Sequence, residues 1–176
     1  MGVAQQLKDA LAQETYVRLN MEGESREGFV VGLGPDLVLL QVIDEWHDAG
    51  AAVLPIDVIE SCDVSEWHDD QQKVIAFNSV KRTKRYAWVK LGTWADVFKS
   101  LAPKAKFIVL SFGDEADVGQ IDAVNADSVD LKAVDPGGNW IGDTLECPFE
   151  DITALQFDDN YSRVLQRYVE RAAAMN

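Results

Sequence analysis

Cysteine and histidine are scarce in this chain, two of each among 176 residues. Cys62 and Cys147 stand far apart with no ligand spacing around them, which excludes a disulfide framework and a zinc site. They are expected to be buried thiols in a reducing compartment, and a cytoplasmic location follows. No stretch approaches the roughly 18 consecutive apolar residues of a membrane span. Met1-Gly2-Val3-Ala4-Gln5-Gln6 lacks the basic and apolar regions of a signal peptide, and Gln6 stands where myristoylation requires Ser or Thr. Gly32-Leu33-Gly34 lacks the third glycine of a dinucleotide loop, and no Walker lysine occurs, so no cofactor is expected. Neither histidine has a Ser or Cys nucleophile beside it in sequence. With 30 acids present, some carboxylates must fall close together by chance, so paired carboxylates carry no weight. The expectation is a protein that is not an enzyme.

Cations are also few, 16 against 30 acids, and they are unevenly placed. Nine lie between Lys73 and Lys106, where Asp96 is the only acid; that window carries +8 and the remainder of the chain −22. Acidity on this scale repels nucleic acid from most of the surface and suits a basic partner.

What the chain has in abundance is self-similarity. Shifted by 91 positions without a gap, Tyr16–Asp44 lies over Phe107–Asp135. Val17, Leu19 and Met21 fall on Ile108, Leu110 and Phe112; Gly28 falls on Gly119, Asp36 on Asp127 and Leu40 on Leu131. After two inserted residues Pro55 falls on Pro148 and Ile59 on Ile152. A repeat of this length fixes the architecture before any single element does.

In each copy the patterning predicts one helix and five strands. Copy one gives a helix over 3–12, then strands over 16–21, 28–33, 37–43, 51–56 and 59–64. Val17, Leu19 and Met21 point inward, and Ile59, Cys62 and Val64 are further inward candidates. The nearly unbroken apolar run from Leu37 to Ile43 reads as a strand buried on both faces. Copy two gives a helix from Thr93, with Thr93 and Asp96 as a capping box and Pro103 as its stop. Its strands run over 107–112, 119–124, 128–134, 143–147 and 152–157. Outside the repeat, Asp158–Met175 predicts an amphipathic helix with Tyr161, Val164, Leu165, Tyr168 and Val169 on one stripe. The connection 65–91 predicts a helix around Val74, Ile75 and Phe77, then an extended basic segment.

A short helix followed by five bent strands resembles the Sm and Sm-like family of SH3-like small β-barrels. The residues carrying the likeness are Gly28-Phe29-Val30, Asp36 through Asp44, and Val53 through Ile59, with their counterparts in copy two. The resemblance implies a mainly β fold with flanking helices: a first barrel unit at 1–64, a basic connector at 65–91, a second unit at 92–157 and a C-terminal helix at 158–176 packing on the barrels. It also implies that one exposed strand edge is satisfied by the other copy and a second is covered by the C-terminal helix, giving a monomer or small homo-oligomer. The family's RNA-binding Asn and Arg-Gly are missing from both copies, so its RNA site does not carry over.

Two features remain as candidate sites. Glu45-Trp46-His47-Asp48 recurs as Glu66-Trp67-His68-Asp69 and holds both histidines. If the two met in space they would offer metal ligands for a metal-dependent enzyme, whereas the plainer expectation buries the tryptophans at a barrel rim and leaves His and acids in water. The other is Lys81, Arg82, Lys84, Arg85, Tyr86 and Trp88, whose cations interleaved with aromatics suit a phosphate backbone with stacked bases or another acidic partner. The preferred reading has this connector neutralise the acidic units internally. The functional expectation is a non-catalytic binding module that engages a protein with a basic surface, such as an inhibitor or immunity-type partner. Divergent RNA or DNA binding through the connector comes second, the metal-dependent enzyme third.

Overall fold

A computed structural model describes residues 2–175. The fold is mainly β, one open ten-stranded antiparallel sheet with four α-helices among the described residues. Helix α1 (Val3–Gln13) precedes β1 (Tyr16–Met21), β2 (Glu24–Leu33), β3 (Leu37–Asp44), β4 (His47–Pro55) and β5 (Ile59–Asp63). Helix α2 (His68–Phe77) lies in the connection. Then come α3 (Trp94–Leu101), β6 (Ile108–Phe112), β7 (Glu115–Val124), β8 (Ser128–Val134), β9 (Leu145–Pro148), β10 (Ala154–Phe157) and α4 (Asn160–Ala174).

The strand order β5-β1-β2-β3-β4-β10-β6-β7-β8-β9 runs through the same sequence of five positions in each half. The fine geometry repeats at the same offset as the sequence. β2 carries a bulge between Val30 and Gly32, and β7 one between Ile121 and Ala123, 91 residues on. A Cβ at Gly28 would fall on the Gln41 carbonyl oxygen, and one at Gly119 on that of Lys132. These glycines let neighbouring backbones approach where the strand bends. Beyond each turn, the Asp36 carbonyl accepts from the Ile56 amide and the Asp127 carbonyl from the Phe149 amide, both at 2.9 Å.

Neither half is closed into a barrel by a ladder of its own. β4 pairs instead with β10, with Val53 opposite Leu155. Joining the halves leaves β5 and β9 at the two ends of the sheet. The expected cover for an end does not materialise, because Leu165 and Val169 of α4 pack with Phe107, Val118 and Val134, on strands β7 and β8 and the approach to β6.

The shared wall explains the long apolar run in β3. Val38 and Leu40 join the core of the first half, while Leu37 and Leu39 join the core of the second. Ala52 and Leu54 of β4 divide from Ala51 and Val53 in the same way. Side chains alternate along a strand, so a strand with cores on both sides needs apolar residues at every position.

Several boundaries differ from the sequence expectation. β2 and β7 begin four residues early, because polar residues form the outer arms of both hairpins. β4 begins at His47 rather than Ala51, directly after a two-residue turn. Thr93 caps α3, accepting from the Asp96 amide at 3.1 Å while its hydroxyl donates to the Asp96 carboxylate. Val64 lies beyond the end of β5 and is exposed. Tyr161, Val164 and Tyr168 are also exposed, because only the Leu165–Val169 edge of the α4 stripe reaches the sheet. No helix of the described residues is long and apolar enough to cross a membrane.

Candidate functional site

The connector residues do not form one open basic surface. Arg82 is mostly buried and donates to the Glu14 carboxylate at 3.0 Å and to the Val30 carbonyl at 3.2 Å. Arg85 pairs with Asp48 at 2.9 Å and with Asp158 at 3.3 Å. Tyr86 is buried; its hydroxyl donates to Asp158 at 2.8 Å and accepts from Arg85. Burial works against the Arg85 charge, but Tyr86, Asp48 and Asp158 outweigh it and raise its pKa. Burial pushes the Tyr86 phenol up, and Asp158 adds to this. Lys81 and Lys84 are exposed and make no ion pair among the described residues. The connector has no strand in its second half; turns over residues 85–88 set Tyr86 and Val89 into the core.

Gln41 holds this segment in place. It is fully buried in β3 and donates its amide to the Lys81 carbonyl at 2.9 Å and to Asp48 at 2.8 Å. Its side-chain oxygen accepts from the Thr83 amide at 2.8 Å. A buried glutamine in an apolar strand needs such partners. The polar residue inside the Leu37–Ile43 run was the available sequence signal.

Trp88 is half-buried against Phe157, with the Lys104 ammonium 4.8 Å from the centre of its ring. It opens onto a groove of about 790 Å³ between the connector and α4. Arg85, Lys104, Lys106, Arg163 and Arg167 line that groove, with Asp158 the one acid on its walls. Four of these cations stand outside the predicted segment. The sequence signs of them were Lys104 and Lys106, which close the basic 73–106 window, and Arg163 and Arg167 at helical i, i+4 spacing.

The two Glu-Trp-His-Asp tetrapeptides fold differently. In the first, Asp44 pairs with His47 across a two-residue turn whose central residues, Glu45 and Trp46, have φ of 44° and 66°. The second straddles the start of α2. No group of three or more His, Cys, Asp and Glu able to hold a metal occurs among the described residues. The expected burial of the tryptophans is overturned: Trp46 is 41% exposed and Trp67 63%. On α2 only Ile75 is buried, while Val74 is exposed and Phe77 is 90% exposed. Trp67, Val74 and Phe77 lie along one side of the helix by their spacing. Asn78, just past its end, donates to the Trp46 carbonyl at 2.9 Å and so ties the turn to the helix. Asp44 and Glu45 beside Trp46 in sequence, and Glu66, Asp69 and Asp70 beside Trp67, are exposed, with Lys73 paired to Asp70. The outcome is a set of exposed aromatic side chains with exposed acidic neighbours in sequence.

Cys62 and Cys147 are both buried, and burial pushes each thiol up to about 11. Thiols held neutral in this way are poor nucleophiles. Compared with known family models, curated proteins and solved structures, the chain matches none.

Proposed function

We propose that this chain is a non-catalytic binding module, two Sm-like units in tandem, whose working surface is the face made by the Glu45-Trp46 turn and α2, and whose partner is a protein with a basic surface. The observation that carries the reading is the exposure of Trp67 and Phe77 on one side of a helix, with the exposed acids Glu66, Asp69 and Asp70 as neighbours in sequence. Large apolar side chains left in water on one helix face mark an interaction site, and tryptophan is over-represented among residues that dominate binding energy. These acids and the net charge of −14 would steer a basic partner and fix its register. An antagonist of a basic enzyme fits this chemistry. Nucleic-acid binding through Lys81–Arg85 has less support, because Arg82 and Arg85 are already engaged by Glu14, Asp48 and Asp158.

Affinity capture from extracts of its own cells tests the reading, with wild type and a Trp67→Ala/Phe77→Ser variant run side by side. Wild type should retain a basic protein, released by salt and lost with the variant. Recovery of nucleic acid alone, or the same proteins on both baits, overturns it.

A further inference from the structure

Independently of that face, we infer that the groove between the connector and α4 is a binding site for a small oligophosphate compound, of the class of pyrophosphate or a nucleoside triphosphate. The chain carries 16 cations among 30 acids, yet five cations line this one groove. Pairing within the protein does not exhaust them. Asp48 and Asp158 balance Arg85, Lys106 holds Glu170 at 2.9 Å, and Arg163 reaches Asp158 only at 3.7 Å. Lys104 and Arg167 make no ion pair among the described residues. Clustering like charges opposes folding unless something else stabilises them, and in so acidic a chain carboxylates for internal pairing are abundant.

The groove is also built rather than incidental. Trp88 is set against Phe157 and carries the Lys104 ammonium over its face, which fixes that charge at one wall. Arg163 and Arg167 stand one helical turn apart on the other wall, and their planar forks suit phosphate oxygens. The start of α4 is already occupied by the Asp159 carboxylate, which accepts from the Ser162 amide at 2.9 Å, so side chains rather than helix amides would meet the anion. A volume of about 790 Å³ lies within the range of small-ligand sites. Charges spread along both walls favour a ligand with several phosphates over a single anion.

Isothermal titration calorimetry on the full chain tests this with pyrophosphate, ATP, citrate and a ten-nucleotide oligothymidine. Pyrophosphate and ATP should bind at low salt and weaken as salt rises. Lys104→Ala/Arg167→Ala should lower both affinities at least tenfold with the melting temperature unchanged, and Lys84→Ala should leave them within twofold. If the double variant does not fold, Arg167→Gln alone should still lower them severalfold. No heat from either phosphate compound overturns the assignment. So does equal binding of citrate, binding of the oligonucleotide alone, or affinities indifferent to Lys104 and Arg167.

Discussion

Gln41 and Lys81, forty residues apart, are joined at 2.9 Å by a hydrogen bond from the Gln41 side-chain amide to the Lys81 carbonyl. The same side chain accepts from the Thr83 amide, so one buried residue holds down the connector by its backbone. Gln41→Leu fits an apolar strand but strands both backbone groups. Each unsatisfied buried group costs about 1–3 kcal/mol, so the loss should be at least ~2 kcal/mol by urea denaturation. Limited trypsin digestion should cut the variant within Lys81–Arg85 well before wild type.

Gly28 and Gly119 face equivalent carbonyls in the two halves. Alanine at either should therefore destabilise by at least ~2 kcal/mol, the upper range of ordinary point substitutions. Similar losses for the two variants would show that both bends are required. A silent Gly119→Ala would separate the halves.

Glu27 accepts from the Tyr16 hydroxyl at 2.6 Å and pairs with Arg18. Burial pushes its carboxyl up, but these partners outweigh burial and hold it below the usual carboxylate range. Because the folded-state pKa lies below the unfolded one, its contribution is present above about pH 4 and is lost as pH falls through the folded value. The stability gap between wild type and Glu27→Gln, followed by urea denaturation from pH 7 to pH 3, should narrow on the acid side.

Glu45 and Trp46 occupy the left-handed region, which costs an ordinary residue roughly 1–2 kcal/mol. Asn-Gly is the sequence such a turn prefers. Glu45→Asn/Trp46→Gly should raise stability by about 1 kcal/mol, read as a higher melting temperature, while weakening retention of the basic partner. A turn that keeps a strained, exposed tryptophan where Asn-Gly would be easier is consistent with selection for contact rather than stability.

The sequence made most of the fold readable, for physical reasons. Period-two alternation located β1, two-sided burial located β3, and Thr93 with Asp96 located the start of α3. The glycine that opens each bend was visible because two copies shared it. The β4–β10 pairing was expected only as an edge satisfied by the other copy; Val53 and Leu155 carry no local sign of their register. The groove is harder still, since its residues come from 85–88, 104–107 and 157–167 and only the tertiary structure assembles them. Exposure of Trp46 and Trp67 was misjudged because a tryptophan reads the same in sequence whether the protein or a partner covers it.

The β4–β10 junction has a consequence for synthesis. Val53 leaves the ribosome about 100 residues ahead of Leu155, an interval of roughly 5–20 s at ordinary elongation rates. Throughout that time the inner edge of β4 has donors and acceptors without its own partner strand. A chain halted before Ala154 would keep that edge permanently, and crowded polysomes would then hold many identical open strands side by side.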